Sequence, residues 1–147
     1  ARTQSRDLYD SARIFKTLTL DIDLLRLAFV VYGGMNRVDW REVTIDTVTF
    51  DHDDLGRKLL PILHNQSVQQ DLSPKAYGTS LVEKCREGLQ RIFPLTPKER
   101  SFLDRLLDEG VIDPSLLTSD TELQIRIQNQ PLLQWKALHV RKHRGLE

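Results

Sequence analysis

Cysteine occurs once, at Cys85, so no disulfide can form within this 147-residue chain. A small disulfide-stapled scaffold is excluded, and the residue falls in an apolar stripe where a buried small hydrophobe is the plain reading. Methionine also occurs once, at Met35, and the chain opens on Ala1, so the expectation is a piece of a longer protein. Long hydrophobic runs are missing. The longest, Leu27 to Tyr32, falls far short of the ~18 residues of a membrane span. Charge of one sign is missing too: Lys and Arg number 21, and Asp and Glu number 21. A neutral total provides no general attraction to nucleic acid or to a membrane surface. These absences lead to the expectation of a cytoplasmic chain with no membrane partner. Metal-ligand spacing is absent as well. His52, His64, His139 and His143 form no set with Cys85, and the i, i+4 pair His139 and His143 has neither a third ligand nor an intervening Glu.

What the chain does have is apolar residues at helical spacing, in enough length for one domain with a sizeable core. Residues 5–18 predict a first helix with Ser5 as N-cap and Leu8, Ala12 and Phe15 inward. Residues 22–32 predict a second, apolar on most sides, stopped by Gly33-Gly34. Between 36 and 50, short helical turns capped by Asp39 and Thr44 are favoured over a strand. The alternating stretch 44–50 would have no partner strand. A helix over 53–64 carries Pro61 late, which predicts a kink or a tight last turn. The next, to residue 93, has Leu81, Val82, Cys85, Leu89 and Ile92 within about a third of its circumference.

Thr96-Pro97-Lys98-Glu99 spells a capping box with Pro at the first helical position, and Gly110 is the stop of that helix. A single turn at 113–117 follows. Ser119 and Glu122 predict a second capping box for a helix ending near Asn129, and Pro131 opens the last helix, to about Arg144. Trp135 is expected in the core of that helix. Together these give an all-α bundle of about six or seven helices in a single helical domain spanning 1–147.

Two stretches could carry chemistry. Arg6-Asp7-Leu8-Tyr9-Asp10 places Asp7 and Asp10 three residues apart on one helical face, with Arg6 four residues from Asp10. Two close carboxylates suit a divalent cation or a general base. On the residues alone the plain reading is an acidic first turn that complements the helix dipole and pairs with Arg6 and Arg13. The last helix gathers Lys136, His139, Arg141, Lys142, His143 and Arg144. Cations there complement the dipole at the helix end, and Lys136, Arg141, Lys142 and Arg144 could also contact RNA phosphates. Asp51-His52-Asp53-Asp54 reads as a helix start rather than a cation site.

Arg6-Asp7-Leu8-Tyr9-Asp10, preceded by Ala1-Arg2, resembles the last motif of the AbiEii/AbiGii-type nucleotidyltransferase toxins of abortive phage infection. Glu109 to Thr118 and Leu133 to Arg141 are similar to the closing segment of such proteins. The resemblance covers nearly the whole chain. It implies the C-terminal helical part of an enzyme that transfers a nucleoside monophosphate from an NTP, with Mg2+, to an acceptor such as tRNA or another RNA. It also implies an N-terminal nucleotidyltransferase domain and an antitoxin as partners. Asp7 would be the acid lent to the active site, Arg6 would orient it, and Asp10 would support it. The family's Gly-Ser loop and strand-borne Asp-x-Asp are absent, so this chain alone is expected to bind no cofactor and to be inactive. Asp21-Ile22-Asp23 imitates the Asp-x-Asp pair but stands at a helix start, where acids cap.

Overall fold

The computed structural model describes residues 4–64 and 73–145. Of these, 74% are helical and none is in a strand, so the chain is all-α as the periodicity predicts. Seven helices are present among the described residues. They are α1 (Ser5–Thr17), α2 (Ile22–Gly34), α3 (52–64), α4 (Pro74–Leu89), α5 (97–109), α6 (Thr121–Gln128) and α7 (Pro131–Arg144). The 3-10 turns Trp40–Glu42, Ile45–Thr47 and Pro114–Leu116 lie between them. The short turns expected between 36 and 50 are therefore present. Asp39 caps the first through the Arg41 N–H, whereas Thr44 stands at the start of the second without a side-chain cap bond.

The helices fall into two compact units. Unit 1 takes residues 1–20 and 44–93 and contains α1, α3 and α4. Its core is Leu8 and Ala12 from α1, Leu55, Leu59 and Leu63 from α3, and Leu81, Val82 and Cys85 from α4. Gly88 of α4 lets that helix approach α1 closely, because a Cβ there would overlap the ring of Phe15. Unit 2 takes residues 21–43 and 94–147 and contains α2, α5, α6 and α7. Val30, Val31, Phe102, Leu103, Leu106, Ile127, Leu133 and Ala137 form its core.

Several helix ends differ from expectation for local reasons. Gln4, not Ser5, is the N-cap of α1. Ser5 lies inside the helix, buried, with its N–H donating to Asp54 Oδ2 at 2.8 Å. Gly33-Gly34 does not close α2 in a left-handed turn. Both are helical, and a Cβ at Gly33 would overlap the Trp40 indole while one at Gly34 would meet Leu106 at 2.7 Å. Pro61 brings no tight turn. Residues Leu55–Leu59 form a wide π turn, with the Leu60 N–H donating to Leu55 O just ahead of the proline that has no N–H. Asp120, not Ser119, caps α6, accepting from the N–H groups of Glu122 and Leu123. The Thr96–Glu99 capping box and the Gly110 stop, at φ 66°, are as expected.

Candidate functional site

The Arg6–Asp10 motif lies on the first two turns of α1. The helix is held from behind by Leu8 and Ala12, by the Ser5 N–H on Asp54, and by the Cys85 thiol donating to Leu8 O at 3.3 Å. Asp54 also takes a hydrogen bond from Lys58 Nζ at 2.6 Å. That ammonium first, and the Ser5 N–H second, hold its carboxyl below the usual range. The outward face is what the motif presents. Arg6 Nε and Asp10 Oδ2 stand 3.9 Å apart with both side chains more than half exposed, a weak solvated pair. Asp7 is exposed and pairs with no described residue.

A groove of about 490 Å³ runs between α1 and α3, lined by Arg6, Tyr9, Asp10 and Arg13 on one side and Asp54 and Lys58 on the other. Asp10 therefore turns toward the groove. Asp7, two residues before Tyr9, is about 160° around the helix from it. Asp10 lines the groove with Arg6 and Asp7 does not, although their i, i+3 spacing leaves the two acids only about 60° apart on α1.

An Mg2+ ion takes six oxygen ligands, usually one or two carboxylates with water and substrate phosphates. Among the described residues no group of three or more His, Cys, Asp and Glu side chains gathers to hold a metal. Asp7 alone supplies one unpaired carboxylate here. These residues do not by themselves fit an Mg2+–NTP site, and no chemical step through the ion follows from them.

At the other end of the chain, the basic residues of α7 are largely occupied within unit 2. Lys136 Nζ donates to Asn36 O at 3.0 Å, and Arg141 Nη1 to Gly110 O at 2.6 Å. Arg144 pairs with Asp108 at 3.1 Å. Only Lys142 of the four is exposed and without a partner among the described residues. Trp135 is not in the core. It is 56% exposed and its ring stacks on His139, with centroids 3.9 Å apart, while Leu133 and Ala137 are buried instead. The first half of α7 is apolar on several sides, so periodicity alone does not choose the face that packs.

The densest charge cluster was missed by sequence reasoning. Arg41 lies at the centre of three carboxylates: Asp39 at 2.7 Å, Asp104 at 3.0 Å and Asp108 at 2.6 Å. The Arg41 hydrogen bond holds Asp39 below the ordinary carboxylate range. The same contact, followed by that to Asp108, pushes the guanidinium further up. Arg26 likewise grips Glu99 through Nε at 2.9 Å and Nη2 at 2.6 Å, fastening the capping box to α2. Both clusters tie helices of unit 2 to one another. The only early signal was the i, i+4 spacing of Asp104 and Asp108, which gives no hint of an arginine 63 residues away.

No family model matches this chain, and neither a curated protein nor a solved structure matches it.

Proposed function

We propose that this chain is the C-terminal helical part of an AbiEii-type nucleotidyltransferase toxin, of a toxin–antitoxin or abortive-infection system. In this reading it completes an active site that transfers a nucleoside monophosphate from an NTP to an acceptor, an RNA. The observation that supports the reading is the state of Asp7. It sits on a helix anchored by Leu8, Ala12 and the Ser5–Asp54 bond, yet its carboxylate is exposed and pairs with no described residue. Asp21, Asp51 and Asp120 cap their helices, whereas Asp7 lies in the first turn, where it complements the dipole, and the motif from Arg6 to Asp10 is what gives it a further role in this reading.

Asp7 is the catalytic candidate in this reading, with Arg6 orienting and Asp10 supporting. Phosphoryl transfer needs carboxylates to hold the cation and cations to hold the phosphates. The N-terminal nucleotidyltransferase domain would supply the remaining acids, the Mg2+ and the NTP. An antitoxin would be the protein partner.

Labelled NTPs, Mg2+ and total tRNA test this. The 147-residue chain should transfer no label, and the longer protein encoded by the reading frame upstream of Ala1 should transfer it. Transfer by the chain alone would overturn the reading, as would an upstream frame with no Gly-Ser loop and no Asp-x-Asp. A second reading is a non-catalytic helical module that binds a partner protein or RNA, and one observation favours the protein. Leu132 and Trp135, three residues apart on α7, leave more than half of each side chain exposed.

A further inference from the structure

The flank of α1 that carries Arg6 continues as a basic stripe. Arg6, Tyr9, Arg13 and Lys16 follow at i, i+3, i+7 and i+10, so they line one side of the helix over about 15 Å. Three grooves of unit 1 share these residues. The α1–α3 groove holds Arg6, Arg13 and Lys58. A second, between α1 and α4, holds Tyr9, Arg13, Lys16, Tyr77 and Lys84. A third extends it past Lys16 and Lys84 to Arg91. Because Tyr9 and Arg13 are shared by the first two grooves and Lys16 and Lys84 by the last two, the three adjoin along α1 and together make a trough.

The charge of the trough is not that of the chain. Six cations line it against three carboxylates, Asp10, Asp54 and Glu87. Asp10 and Asp54 already face Arg6 and Lys58. Arg13, Lys16 and Lys84 are exposed and hold no ion pair among the described residues. Cations spaced along a groove, with Tyr9 and Tyr77 between them, match the phosphates and bases of a nucleic-acid strand. Of its apolar lining residues, Leu59, Leu63 and Leu81 are buried and Phe15 is half-buried, so Ile62 alone is exposed, fewer apolar side chains than insertion at a membrane surface needs.

We infer that this trough along α1 and α4 is the binding face for the backbone of a structured RNA, and that the basic end of α7 is not. The inference deepens the proposed function and rests on its reading of the acceptor as RNA. It places that RNA on unit 1, starting at the groove that holds Arg6 and Asp10. A sequence of phosphate contacts needs no catalysis, so binding can be measured on the chain itself.

The experiment is fluorescence anisotropy of the 147-residue chain with labelled tRNA at 50 and 200 mM salt. The variant is the triple charge reversal Arg13→Glu, Lys16→Glu, Lys84→Glu, with Lys142→Glu as the control and far-UV circular dichroism on each. All four positions are exposed, so the fold should persist. The expected result is salt-dependent binding that the triple variant weakens at least tenfold, with a salt dependence shallower by roughly two to three phosphate contacts. Lys142→Glu should change it less than about twofold, since the α7 end takes no part. No binding by the parent chain, binding indifferent to the triple reversal, or an equal loss with Lys142→Glu would each overturn the inference. Those failures would leave the transferase reading standing, because that is decided by label transfer and by Asp7.

Discussion

Burial pushes the Cys85 thiol up to about 11, with its hydrogen directed at Leu8 O. A thiol needs its thiolate to react, so Cys85 should be inert at pH 8 in the native protein and react with Ellman's reagent only in denaturant. Rapid reaction without unfolding would show that α1 does not cover it. Asp39 carries a pH signature. Its folded pKa lies below 3.8 because Arg41 hydrogen-bonds the ionised form, so its contribution is present above that value and is lost as the pH falls through the lower folded one. Asp39→Asn keeps the cap acceptor but removes the charge. Its urea midpoint should fall below that of the parent at pH 7, and the gap should close as the pH falls below 3.8 and through the lower folded value. A gap that stays constant with pH would mean the charge pairing contributes nothing.

Among the elements, α7 gives the sharpest contrast between pattern and packing. Leu133 is fully buried and Trp135 is mostly exposed. Leu133→Ala should cost about 2–5 kcal/mol, as for a core leucine, and Trp135→Ala well under that. Equal losses in urea titrations would place Trp135 back in the core. The elements that were legible in the sequence are those written in local chemistry. The Thr96–Glu99 box, the Gly110 stop and the stripe through Leu81, Val82 and Cys85 need only residues within a few positions of each other. What was not legible depends on a distant neighbour. Gly33 is set by Trp40, Gly34 by Leu106, and the buried face of α7 by the residues it meets. The π turn at Leu55–Leu59 belongs with these, since Pro61 removes a donor but does not dictate how the preceding turn widens. The candidate site divides the same way. Arg6, Asp7 and Asp10 were visible as a motif, and the basic stripe Arg6, Tyr9, Arg13 and Lys16 was present in the same residues. That Lys58, Lys84 and Arg91 continue it required the fold.

For the whole molecule, a neutral total charge conceals a local separation. The trough of unit 1 is basic while Arg41 in unit 2 is enclosed by carboxylates, and the sum cancels. Circular dichroism should show a protein dominated by helix, and a strand-dominated spectrum would contradict the fold. No helix among the described residues is long and apolar enough to cross a membrane. The proposed function requires Asp7, an exposed acid on the first helix, to do chemistry when the rest of an active site is supplied. The direct measurement is transfer of labelled nucleotide to RNA, with Mg2+, by the full-length nucleotidyltransferase proposed to contain this chain and by its Asp7→Asn form. Asn keeps the size and the helix while removing the carboxylate, and Asp7 has no partner among the described residues whose loss would unfold α1. The account predicts transfer by the parent and a loss of roughly 10²-fold or more in the variant, the scale for a catalytic electrostatic group. Unimpaired transfer by Asp7→Asn would contradict it and leave Arg6 to Asp10 as a solvated helix start.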